Sequence, residues 1–249
     1  MRSCPSCGKS PVPLISQTSL RNRLLRHLSP EDFALLAPHL EPVELTQHMV
    51  LSEPNQPFEH VYFFERGLGS IVSLSTERQQ VETGIYGRDG FGPVGLALGV
   101  GRAPYRAIVQ VPGEGHRMPA GALREAIKAS PTPHDLLLRF VYTLSVQTSY
   151  TALSNAVHPV DERLARWLLM CHDRVVADEL ALTHEFLGIM LAVRRPSVTT
   201  ALHVMEGNGF IRAVRGQITI RDRQALEEFA GDAYGHPEAE YARLIGPLR

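Results

Sequence analysis

The chain is short of cysteine, of long apolar runs and of net charge. Three cysteines among 249 residues, Cys4, Cys7 and Cys171, cannot make an all-paired disulfide framework, which points to a reducing compartment. The longest apolar stretch, residues 136–144, is interrupted by Arg139 and falls well below the roughly 18 to 20 residues of a membrane span. The first residues lack the apolar segment and small-residue cleavage site of a secretory signal, so the expectation is a cytoplasmic protein with no membrane attachment. Lys and Arg number 25 against 26 Asp and Glu, for a net charge of −1. That excludes a protein that coats nucleic acid by bulk attraction and leaves only a local patch for such a partner.

Catalytic signatures are missing too. The eleven histidines form no His-Glu-x-x-His pattern, and no Ser-His-Asp set, P-loop or dinucleotide motif stands in the required context. The expectation is a non-enzyme without a metal centre. Cys4 and Cys7, in Cys-Pro-Ser-Cys-Gly, are half of a zinc ribbon or a redox pair and the only metal candidates.

What is present is an ample apolar fraction, 44%, and enough length for about two domains. Residues 1–18 are rich in Ser, Pro and Cys and read as a flexible N-terminal arm. Two short helices follow within residues 20–40, the second capped by Ser29 and opened by Pro30. From about residue 42 to 118 the pattern breaks into strand-length runs, 43–51, 61–65, 70–75, 81–86 and 106–111, with turn residues between them. Short strands at that spacing predict an antiparallel β-roll, cupin-like, in a sensor domain over 19–130. A long helix is expected over 131–158, with Leu137, Val141, Leu144, Thr148 and Thr151 at alternating four-and-three spacing, a seam that a partner helix could occupy. The overall class is α+β.

The C-terminal domain, expected over 159–231 with a tail over 232–249, carries the most information. Thr183 caps a helix with Leu187, Met190 and Leu191 facing inward. A tight connection at Ala192-Val193 leads to a second helix, about 195–206, whose Val198, Ala201, Leu202 and Met205 share one face. Gly207-Asn208-Gly209 stops it, and residues 210–214 and 217–220 flank Arg215-Gly216 as a hairpin would. Helix-turn-helix plus hairpin is a winged helix. Residues 194–221 hold Arg194, Arg195, Arg212, Arg215 and Arg221 against the single acid Glu206. Their planar forks suit phosphates and guanine edges, and Arg195, Thr199, Thr200 and His203 lie opposite the apolar stripe, where a major groove would meet them.

Here the chain resembles the Crp/Fnr superfamily of bacterial transcription regulators, in "LTHEFLGIMLAVRRPSVTTALHVMEGNGFI", "DERLARWLLM" and the roll segments "VYFFERGLGSIV" and "GRDGFGPVGLALGVGRAPYR". The resemblance implies a homodimer, with a cyclic-nucleotide-binding-like roll, a long dimerisation helix and a winged helix on a near-palindromic promoter site in double-stranded DNA. RNA polymerase is its implied second partner. It implies DNA contacts from Arg194, Arg195, Ser197, Thr199 and Thr200, with Thr183, His184 and His203 near phosphates; the wing adds Arg212 and Arg215. Pro196 stands where many members place a base-reading Glu, Thr200 where a second Arg is common, and Ala192 where the turn usually has Gly.

The effector cassette departs further from the family. Its matching residues are Gly92, Gly95 and Arg102, with Thr148 and Ser149 from the long helix. Pro93 has no carboxylate for a ribose, and Ala103-Pro104 offers neither hydroxyl nor a second N–H to a cyclic phosphate. Cyclic AMP is therefore not expected, nor is an iron–sulfur cluster, whose four cysteines are lacking; no cofactor is predicted. The competing reading is a small-molecule-binding or metal-dependent roll whose C-terminal unit serves protein interaction. It would draw on His48, Glu53, His60, Glu65 and Glu82, whose spacing matches no known site, and would leave the five arginines without a role.

Overall fold

A computed structural model describes residues 15–249 except Arg78 and Val176. Cys4, Cys7 and most of the expected N-terminal arm lie outside the described residues. Helices α1 (Arg23–His27) and α2 (Pro30–Leu36) open the chain. The Ser29 side chain accepts from Asp32 N at the start of α2, which satisfies one of the orphan amides of the first turn.

Eight strands then build the roll as two four-stranded antiparallel sheets. They are β1 (Glu41–Leu45), β2 (Val50–Ser52), β3 (His60–Phe64), β4 (Leu68–Leu74), β5 (Gln80–Tyr86), β6 (Phe91–Gly92), β7 (Arg106–Val111) and β8 (Gly113–Pro119). The sheet orders are β1-β8-β3-β6 and β2-β7-β4-β5. Two details differ from the expectation drawn from periodicity. The run 43–51 is two strands, because the chain turns at His48, whose φ is +66°. Strand β8 was not foreseen: Gly113, Gly115, Glu114, His116 and Arg117 hide any apolar alternation, yet it lies between β1 and β3 and pairs with both.

Helix α3 (Ala120–Ala129) leads to the long α4 (Pro131–Val157), about 40 Å at 1.5 Å per residue. The expected seam of α4 is not its free face. Leu137 and Leu144 are buried with Phe140 in the core of the roll. Apolar residues stand on almost every side of this helix, so a seven-residue period could not tell its own domain from a partner. The stripe left exposed or half-buried runs instead through Tyr142, Val146, Ser149, Leu153 and Ala156.

The C-terminal unit comprises α5 (Val160–Arg174), β9 (Glu179–Ala181), α6 (His184–Met190), α7 (Arg195–Gly207), β10 (Ile211–Val214), β11 (Gln217–Ile220) and α8 (Arg223–Ala230). Strand β9 adds a third strand to the hairpin, in the order β10-β11-β9. Leu68 and Ile85 of the roll are buried in this unit's core, so the two units share apolar surface. The segment expected as a tail contains helix α9 (His236–Leu244) and returns to the roll, where Tyr241, Ile245 and Leu248 join the first core. Tyr241 also donates to the Asp89 carbonyl at 2.7 Å.

Candidate nucleic-acid interface

The helix-turn-helix is assembled by local chemistry. Thr183 accepts from Phe186 N and starts α6; Leu187 and Met190 are buried under it. Ala192 adopts φ +51°, the left-handed conformation that the missing turn glycine would take without strain, at a cost of about 1–2 kcal/mol. Close approach is provided at Gly188, where a Cβ would sit 3.0 Å from the Val193 carbonyl oxygen. Arg194 precedes α7, Pro196 occupies its first turn, and Val198, Ala201, Leu202 and Met205 are buried against α5 and α6.

The opposite face of α7 is open. Arg194, Arg195, Thr200 and His203 are exposed, and Ser197 and Thr199 are partly so. The hairpin register is Ile211 opposite Ile220 and Ala213 opposite Ile218, which turns Arg212 outward. Arg215 (φ +47°) and Gly216 (φ +81°) form the tip, two left-handed residues in the manner of a type I′ turn, and Arg215 is exposed there. Among the described residues no side-chain hydrogen bond or ion pair engages the guanidinium of Arg194, Arg195, Arg212, Arg215 or Arg221. The one acid in this stretch, Glu206, is turned away to accept from Ala213 N at 3.0 Å, which fixes the wing against α7.

Four expected contact residues are partly committed inside the unit. The Thr183 hydroxyl caps α6, Thr200 donates to the Pro196 carbonyl at 3.1 Å, and Thr199 Oγ1 lies 3.0 Å from His184 Nδ1. His184 and Thr199 thereby tie the start of α6 to the first turns of α7. That cross-helix contact, fifteen residues apart in sequence, carried no sequence signal.

Residues 162–229 match the family model of the Crp-like helix-turn-helix domain. This unit is a Crp-like helix-turn-helix domain. Solved structures extend the likeness to the whole architecture. FixK2 from Bradyrhizobium japonicum is similar at 17% identity and a TM-score of 0.64, over 76% of this chain and 96% of that one. A transcriptional regulator of the CRP/FNR family from Thermus thermophilus gives 19% identity and 0.61, over 76% and 98%. CLP of Xanthomonas campestris, described as a c-di-GMP responsive global regulator, gives 15% and 0.59, over 77% and 99%. A search of curated proteins finds no match. The chain thus has the fold of the Crp/Fnr regulators and carries their Crp-like helix-turn-helix domain.

The Crp-like domain meets the roll through a buried polar joint that no motif announced. Glu82 of β5 is buried; it accepts from Trp167 Nε1 of α5 and from Ser70 Oγ of β4, each at 2.5 Å. Burial pushes its carboxyl up to about 7, against the pull of those hydrogen bonds and of Arg166 and Arg174. Gln147 of α4 binds both the N–H and the carbonyl of Ile85, at 2.8 and 3.2 Å, and so satisfies the open edge of β5. Arg174, at the end of α5, lies 2.9 Å from Asp89 in the turn after β5, and the two side chains are 3% and 1% exposed. Cys171 is fully buried in the same helix, and its thiol is pushed well up by that burial.

The expected effector residues do not share one environment. Gly92 and Gly95 are buried, Arg102 is exposed, and the exposed Thr148 and Ser149 donate to the Leu144 and Ser145 carbonyls of their own helix. Beside Gly92 the interior is filled by Tyr86, whose hydroxyl would stand 2.2 Å from a Cβ added there. Phe64 meets the Tyr86 ring edge-on at 5.4 Å. Among the described residues, no three His, Cys, Asp or Glu side chains gather as a metal site, and no helix is long and apolar enough to cross a membrane.

Proposed function

We propose that this protein is a homodimeric transcription regulator that binds a two-fold-symmetric promoter site, with α7 of each protomer in the major groove and the wing on the flanking backbone. The observation that carries this reading is the open face of α7 and the hairpin, where five arginines stand free of internal partners among the described residues, beside the packed helix pair α6 and α7. Arg194 and Arg195 precede and open α7, the end of a recognition helix that reaches base edges. Arg212 and Arg215 are placed for phosphates. RNA polymerase is the further partner that the resemblance to the Crp/Fnr superfamily implies. The roll is read as the sensing unit, for a ligand other than cyclic AMP, because Tyr86 occupies the interior beside Gly92.

Selection of bound sequences from a random duplex pool should enrich a two-fold-symmetric motif with half-sites about one helical turn apart. Replacing Arg195 by Ala should weaken the selected site by roughly 10- to 100-fold while barely changing non-specific binding, as expected of a base contact. Replacing Arg215 by Ala should weaken all sequences alike and flatten the salt dependence. A pool that stays unenriched, with and without cell extract as a source of effector, would sink the proposal.

Dimerisation is assigned to the outer stripe of α4. Leu153 is 49% exposed and Val157 63%, unusual for apolar residues in line on one helix. Leu153→Glu should convert a dimer into a folded monomer, read as a halved mass by light scattering with unchanged circular dichroism. A dimer that survives the substitution would place the interface elsewhere.

A further inference from the structure

Arg21, Arg23, Arg26, His27 and Arg88 line one cavity of about 550 Å³. It lies where the first helix, the turn after β5 and the end of the chain converge. Asn22, fully buried, pins this corner: its amide donates to the Phe64 and Gly90 carbonyls and its oxygen caps α1 by accepting from Leu25 N. Arg23 N donates to the Arg88 carbonyl at 2.7 Å, which joins the two basic segments directly. The convergence of charge is therefore built by the backbone rather than by loose surface side chains.

Countercharge at the cluster is sparse among the described residues. Among the described residues no carboxylate forms an ion pair with Arg21, Arg23, Arg26 or Arg88. Nearby acids are committed elsewhere: Asp89 to Arg174, Asp173 to Arg223 and Tyr234, Glu65 to the N–H groups of Arg21 and Asn22. The preceding sequence supplies none, since Glu31 is the first acid in the chain. The Arg88 guanidinium is held below its ordinary range by burial and by the neighbouring Arg23, Arg249 and Arg21, against the pull of Asp89. Part of the cluster has an internal task, because Arg23 donates to the Pro247 and Leu248 carbonyls and Arg88 reaches Leu248. That leaves Arg21 and Arg26 without a side-chain partner among the described residues, and the Nε groups of Arg23 and Arg88 buried and unsatisfied. Like charges held together in a recess raise the energy of the protein unless an anion neutralises them.

We propose that this cavity binds a small molecule carrying two or more adjoining phosphate groups. Guanidinium forks match phosphate oxygens in pairs, and four of them suit several adjoining charges better than a single carboxylate. The volume lies within the range of small-ligand sites. A ligand here would be linked to the helix-turn-helix unit through Arg88, which donates to the Asp173 carbonyl near the end of α5 at 3.3 Å.

Calorimetry on the full chain at fixed, near-physiological salt tests this with inorganic diphosphate, a nucleoside triphosphate, orthophosphate and sulfate as probes. Diphosphate should bind with a stoichiometry of one per chain and at least about tenfold more tightly than orthophosphate or sulfate. Arg21→Gln and Arg26→Gln, at exposed positions where the fold should not suffer, should each weaken diphosphate by about tenfold. Equal affinity for diphosphate and the triphosphate assigns the site to the phosphates alone, whereas a tighter triphosphate assigns it to a nucleotide; both support the proposal. No diphosphate binding, or binding unchanged in the double variant Arg21→Gln/Arg26→Gln, overturns it. Loss of DNA affinity in that variant without diphosphate binding by the wild type would overturn it in favour of a DNA backbone contact.

Discussion

Arg174→Met should cost about 3–5 kcal/mol of stability, the penalty for stranding a buried charge without its partner. Arg174 and Asp89 are almost wholly enclosed at 2.9 Å, a close charge contact whose N–H does not point squarely at the oxygen. Asp173 and Glu238 also hold the Arg174 guanidinium above its ordinary range, so its loss leaves three carboxylates crowded at one place. Urea denaturation would show the midpoint falling with little change in slope. The double variant Asp89→Asn/Arg174→Met, which removes both charges, should recover more than half of the loss. If Arg174→Met shifts stability by less than about 1 kcal/mol, the contact is no better than a surface ion pair. Because this pair joins the turn after β5 to the end of α5, the single variant should also loosen the attachment of the helix-turn-helix unit to the roll.

The second large effect is a pH dependence centred on Glu82. Its carboxyl sits at about 7 in the folded chain against 4.5 for an ordinary glutamate. Below pH 4.5 both the folded and unfolded chains hold this proton, and the burial of Glu82 carries no ionic cost. Between 4.5 and 7 the unfolded chain releases the proton while the folded chain keeps it, so this contribution to stability falls as pH rises. Above 7 the loss is complete, at about 3 kcal/mol from roughly 1.4 kcal/mol per pH unit. Glu82→Gln keeps an acceptor for Trp167 but turns an amide NH2 toward Ser70, whose hydroxyl donates to Glu82 in the wild type, and it cannot ionise. The difference in unfolding free energy between the two proteins should therefore grow in favour of the variant from pH 4.5 to pH 8. A constant offset from the altered hydrogen bonds leaves that slope intact, and parallel curves would show that Glu82 ionises freely in place.

The helix-turn-helix was legible because its signals are local. Thr183 caps, Ala192 turns, Gly207-Asn208-Gly209 stops and Arg215-Gly216 reverses the chain within forty residues, and each acts through its own backbone preference. The two opening helices were legible for the same reason, with Ser29 accepting where a cap was expected. Strand β8 was not, since its place between two neighbours is determined by backbone pairing and its own side chains are mostly polar or absent. The free face of α4 was misplaced, because Leu137 and Leu144 serve the roll and the outward stripe shows only once the roll has claimed its side.

By itself, then, the sequence determined the two opening helices, a strand-rich middle followed by a long helix, and the winged helix with its arginine-rich stretch, all readable from caps, turns and periods a few residues long. Only the tertiary structure decided what those parts meet. Glu82 and Trp167 are 85 residues apart, Asp89 and Arg174 come from different units, and Arg23 reaches carbonyls at the opposite end of the chain. Such pairs leave no periodic trace, because a buried charge is tolerated for the sake of a partner that the fold, and not the neighbouring sequence, brings to it.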